Sequence, residues 1–138
     1  MRKPLVSIET ARAVLGKTED QVVEMIESGA LRFAWNIASK KSRSRYIRLF
    51  VPSLADAVNQ KDHQPAALSD AIKFILPGSS PTVPASRLAQ LFNTGSTHIA
   101  DLLRERSLVK VTNGRHARSS PLVSRESVVK FLTLRRCV

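Results

Sequence analysis

Six Lys and Arg side chains fall between positions 32 and 55 with no Asp or Glu among them: Arg32, Lys40, Lys41, Arg43, Arg45 and Arg48. A second run, from 109 to 138, holds Lys110, Arg115, Arg118, Arg125, Lys130, Arg135 and Arg136 against Glu126 alone. Each stretch nets +6 and the rest of the chain is nearly neutral, so the two hold charge equivalent to the whole +11 excess. Ammonium and guanidinium groups concentrated in this way attract polyanions and contact phosphate oxygens. The candidates are nucleic acid and an anionic membrane surface. No apolar run approaches the ~20 residues of a spanning helix. No signal-peptide apolar stretch follows Met1-Arg2-Lys3-Pro4 either, because Glu9, Arg12, Lys17, Glu19 and Asp20 interrupt it. The expectation is a cytoplasmic, nucleoid-associated protein without a membrane partner.

Catalytic chemistry finds little to work with. His63, His98 and His116 are scattered, Cys137 is the lone cysteine, and there is no glycine-rich phosphate loop or paired Cys/His spacing. No enzyme activity, cofactor or metal is expected. Phe33, Trp35, Tyr46 and Phe50 could stack on single-stranded bases, but their alternation in strand-prone segments favours packing.

The elements that position these groups occur twice. Shifting the chain by 77 positions sets Val6–Leu31 against Val83–Leu108 without a gap, and the apolar positions coincide (Val22 with Ile99, Ile26 with Leu103, Leu31 with Leu108). In the first copy Ile8, Ala11, Val14 and Leu15 recur at helical spacing. Gly16-Lys17 breaks that helix, Thr18-Glu19-Asp20-Gln21 reads as a capping box, and Val22, Met25 and Ile26 form the inward face of a second helix ended by Gly29. The second copy has Ala85–Phe92, a turn at Asn93-Thr94-Gly95 and a helix from Ser96 to about Arg106. Two short helices joined at a glycine-containing bend are a helix-turn-helix.

A hairpin pattern follows each pair. Leu31–Trp35 and Arg45–Phe50 flank a Ser/Lys/Arg tip, and Leu108–Val111 and Pro121–Val123 flank Asn113-Gly114-Arg115-His116-Ala117-Arg118. A helix closes each copy, Pro52 to Asn59 and Arg125 to Leu134, the latter capped by Ser124. The expected organisation is one unit over 1–62, a linker with a short helix over 63–80, and a second unit over 81–138. The fold class is α+β, mainly α. Ala71, Ile72, Ile75 and Leu76 of the 68–76 helix need burial, either between the units or against a second copy or protein partner.

This order of helix, turn, helix, Gly-x-Leu, basic hairpin and short helix resembles the excisionase and MerR-like winged helix-turn-helix superfamily, in two tandem copies. Ser28-Gly29-Ala30-Leu31 resembles its junction between second helix and wing, and Gly114-Arg115-His116-Ala117-Arg118 resembles its Gly-Arg-x-x-Arg wing. The likeness covers about 55 residues in each half. It implies a double-stranded-DNA-binding protein: a transcriptional regulator acting at an operator or, alternatively, a mobile-element recombination directionality factor that bends DNA. A third alternative is an adaptor whose first unit binds a protein, since Glu19, Asp20, Glu24 and Glu27 make the first copy's second helix a poor base reader. Base reading is therefore assigned to Ser96, Thr97 and His98. Phosphate contact is assigned to the wings, through Lys40, Lys41, Arg43, Arg45, Arg48, Lys110, Arg115, His116 and Arg118.

Overall fold

The computed structural model describes residues 3–59, 67–111 and 121–137. Seven helices and two three-stranded antiparallel sheets occur among them, an α+β fold with helix predominating. The order is β1 (Leu5–Ser7), α1 (Ile8–Leu15), α2 (Glu19–Glu27), β2 (Ala34–Asn36), β3 (Ile47–Phe50), α3 (Val51–Asn59) and α4 (Leu68–Ile75). It repeats with β4 (Thr82–Pro84), α5 (Ala85–Leu91), α6 (Ser96–Arg104), β5 (Lys110–Val111), β6 (Leu122–Ser124) and α7 (Arg125–Leu134).

The offset of 77 is kept in the backbone: β1 and β4 begin at Leu5 and Thr82, and α2 and α6 at Glu19 and Ser96. The same turn closes the first helix of each pair. Gly16 (φ 64°) fills its left-handed position in one copy and Asn93 (φ 53°) in the other, and Asn tolerates that region better than most side chains. After the second helix, Leu31 N donates to Met25 O and Leu108 N to Leu102 O, with Gly29 (φ 86°) and Arg106 (φ 64°) at the equivalent bend. All three backbone features recur at the same offset, although different side chains meet them.

Each sheet has a strand the sequence did not announce. β1 pairs with β3 (Val6 opposite Leu49) and β4 with β6 (Val83 opposite Val123), so each hairpin lies against a three-residue strand at the start of its unit. The central strand bonds on both sides: Leu49 also faces Ala34, and Val123 faces Lys110.

The units are fused by one hydrophobic core. Phe33, Trp35, Ile37 and Phe50 from the first unit pack with α4 and with Leu88, Phe92, Ile99, Phe131 and Leu132 from the second. Phe33, Trp35 and Phe50 are fully buried, in edge-to-face and stacked contacts 5.7–6.2 Å between ring centres, so packing, not base stacking, uses these rings. A smaller cluster holds α1, α2 and α3 on the other side of the first sheet. Ala71, Ile72, Ile75 and Leu76 of α4 lie inside the shared core, so its apolar face is filled from within the chain. Of the alternatives open to this face, burial between the units is the one the structure shows.

The C-terminal residues cross back to the first unit. Cys137 N donates to Ala34 O (2.8 Å) and Asn36 N to Arg135 O (2.9 Å), a bridge that covers the outer edge of β2. Such an edge otherwise invites pairing with another chain. The Cys137 thiol is half-buried there, and that burial raises its pKa.

Candidate nucleic-acid interface

α2 and α6 occupy equivalent places, and their solvent faces differ in charge. On α2 the exposed residues include Glu19, Asp20, Gln21, Glu24 and Glu27. Its N-terminus is closed by the capping box, with Gln21 N donating to Thr18 Oγ1 (3.2 Å) and Thr18 N to Gln21 Oε1 (2.9 Å). On α6 the exposed residues are Ser96, Thr97, Ala100 and Arg104, and Arg104 pairs with Asp101 at 2.9 Å. The cap of α6 is Gly95, which has no side chain to occupy the helix's first amides, and its first turn has no acid. Free N–H groups and the positive end of the helix dipole favour an anion at that end of α6 and not at α2.

The hairpin of the first unit is docked alongside α6. Beyond β2 and β3 the two arms stay paired, with Ile37 N donating to Tyr46 O (2.9 Å) and Asn36 Oδ1 accepting from both Ala38 N and Tyr46 N. His98 Nε2 lies 2.5 Å from Ile37 O, and its ring stacks on Tyr46 with centres 4.7 Å apart. The Tyr46 hydroxyl meets Thr94 Oγ1 at 2.9 Å, and Lys3 Nζ donates to Asn93 Oδ1 (2.8 Å). Past the last turn of α6, Glu105 accepts from Ser39 Oγ (2.5 Å), Lys40 N (2.9 Å) and Ser107 Oγ (2.6 Å). Burial alone would raise the Glu105 pKa. The bonds from Ser107, Ser39 and Lys40, with the charge of Arg135, outweigh it and hold the carboxyl below its ordinary value.

This dock corrects two of the assigned residues. His98 is turned toward the first unit and held by Ile37 and Tyr46, so it is not poised to read bases. Arg48 is half-buried over the Tyr46 ring, 4.3 Å from its centre. Its Nε donates to the Phe92 and Asn93 carbonyls and its Nη2 to Asn93 O at 2.8 Å. It closes the C-terminal end of α5, where carbonyls lack helical partners. Burial lowers its pKa below the usual guanidinium range. The guanidinium serves a structural joint, not phosphate.

Arginines of the second stretch are used in the same way. Arg125 donates to the carbonyls of Leu76, Pro77 and Ser80, tying α7 to the end of α4. Arg135 reaches Ala38 O (2.9 Å) and Arg136 reaches Arg32 O (3.2 Å). Sequence counting could not separate these cations from free ones, because their acceptors lie 45 or more positions away along the chain.

The remaining assigned residues that the structure describes face solvent. Ser96 and Thr97 are exposed at the start of α6, and Lys40, Lys41, Arg43 and Arg45 are exposed on the first hairpin, as is Lys110 on β5. Arg115, His116 and Arg118, with the Asn113-Gly114 turn, lie outside the described residues. Sequence reasoning missed Glu105: an acid beside a basic surface gives no signal that it binds the opposite unit. Among the described residues no three His, Cys, Asp or Glu side chains gather as metal ligands, and no helix is long and apolar enough to cross a membrane. Comparison with protein-family models, curated proteins and solved structures returned no match.

Proposed function

We propose that the protein binds double-stranded DNA as a tandem winged helix-turn-helix regulator, presenting α6 to the major groove and its basic hairpins to phosphates. The carrying observation is the contrast between equivalent helices: α2 exposes four carboxylates, whereas α6 exposes Ser96, Thr97, Ala100 and Arg104. Hydroxyl groups contact either phosphate or base edges, and an uncapped helix N-terminus favours phosphate. Thr97 and Ser96 are the base-reading candidates that remain once His98 is assigned to the dock. Lys40, Lys41, Arg43, Arg45 and Lys110, with Arg115, His116 and Arg118 from the sequence, supply the sequence-independent attraction.

A salt titration of binding to a labelled mixed-sequence duplex tests this reading. With roughly six to eight phosphates neutralised, affinity falls ~10³-fold or more from low to moderate salt. Absence of salt-sensitive binding to any duplex overturns it. Selection from a random-sequence pool then tests for a preferred operator, and circular-permutation gels separate a regulator from a factor whose task is to bend DNA.

A further inference from the structure

We propose that the first unit's hairpin and the second unit's α6 form one composite duplex-binding face, held in register by Glu105 as its positioning residue. The inference rests on the DNA reading of α6 given above. The hairpin arm touches α6 at two places, Ile37 O at His98 and the Ser39–Lys40 segment at Glu105. His98 in α6 and Glu105 at its C-cap are seven positions apart, about 10 Å at the helical rise, and three residues of extended chain also span about 10 Å. The arm therefore runs along α6 from His98 to the C-cap, and it delivers the tip cations beside the helix's C-terminal end. Lys41 lines a cleft of about 260 Å³ there with Ser39, Asp101, Arg104 and Glu105. A helix seated in the major groove has phosphates along both rims of a groove ~12 Å wide. A cationic hairpin fixed at the helix's flank meets one of those rims.

Glu105 is the group whose removal separates this arrangement from simple electrostatics. Its carboxylate is wrapped by Ser39, Lys40 N and Ser107, so its charge is spent within the protein. If it only added negative charge near a polyanion, neutralising it would tighten binding. If it holds the hairpin on α6, neutralising it loosens the tip cations and weakens binding. The predicted signs are opposite.

The experiment is fluorescence anisotropy of the full chain with a labelled mixed-sequence duplex over a range of salt, comparing wild type, Glu105→Gln, Ser39→Ala and Lys41→Ala. Glu105→Gln is expected to weaken binding about tenfold, equivalent to ~1.4 kcal/mol. Ser39→Ala, which leaves every charge in place, weakens it several-fold. In both, the salt slope falls toward that of Lys41→Ala as tip cations lose their phosphates. Circular dichroism reports whether Glu105→Gln folds; if it does not, Ser39→Ala decides. Unchanged or tighter binding by the folded variants, or weaker binding with a wild-type salt slope, overturns the inference while leaving the DNA reading standing. A wild-type protein that binds no duplex overturns both.

Discussion

The helix pairs of the two units share a backbone and present opposite chemistry. α2 has a closed capping box, Glu19 and Asp20 in its first turn, and Glu24 and Glu27 further along its exposed side. α6 begins at an uncapped glycine, carries hydroxyls in its first turn, and lies beside a hairpin from the other unit. Glu19 and Asp20 stabilise the N-terminus of α2, so these first-turn residues answer a folding requirement where those of α6 leave the helix end open. The comparison shows how a duplicated scaffold can divide labour. On the proposed reading, one copy supplies the contacting helix, and the other lends its cationic hairpin and a share of the common core.

The largest effect that could break this comparison concerns the joint itself. Arg48→Ala removes charge-assisted bonds to Phe92 and Asn93 carbonyls and should lower stability by about 2–4 kcal/mol in urea unfolding. Arg48→Lys should recover only part of that, since an ammonium cannot span the same acceptors as the planar fork. A loss confined to DNA affinity would return Arg48 to the phosphate-contacting set. Next in size, Lys40→Ala, Lys41→Ala and Arg43→Ala combined should reduce duplex affinity about 10²-fold at moderate salt and lower the salt slope by about two to three. Thermal unfolding of that variant should match wild type, as all three side chains are exposed.

A sharper division is expected between neighbours on α6. Thr97→Ala should cost about 1–2 kcal/mol of preference among base pairs, read by competition with the selected duplex. His98→Ala should instead cost a similar amount of folding stability, through loss of Ile37 and Tyr46, and leave sequence preference intact. Acid should act on the same joint. Because the Glu105 pKa is depressed in the fold, its contribution is complete at neutral pH, above its ordinary value of 4.5, and is lost as pH falls through the lower folded value. Unfolding midpoints followed by denaturant across that acid range should decline for wild type more steeply than for Glu105→Gln. The smallest effect is assigned to Glu24→Lys and Glu27→Lys: stability within ~0.5 kcal/mol of wild type, and affinity changed by no more than a few-fold.

Much of the architecture was legible because it rests on local rules. The capping box at Thr18, the Ser124 cap of α7 and the helical spacing through Val22 and Ile26 depend on residues a few positions apart. β1 and β4 were not legible, since three residues carry no periodicity and their strand character comes from β3 and β6. The candidate interface was legible as two basic stretches and a neutral helix N-terminus. Its joint was not: Arg48, Arg125, Arg135 and His98 find their acceptors 44 to 97 positions away, which no reading of neighbouring residues reveals.

The most direct measurement places a DNA-cleaving iron chelate on equivalent points of the two helices. With Cys137→Ser as background, Asp20→Cys and Thr97→Cys put the chelate 77 positions apart, at exposed sites in the first turns of α2 and α6. The account predicts focused cleavage of a bound duplex from position 97 and none above background from position 20. Equal cleavage from both, or cleavage from position 20 alone, would contradict it.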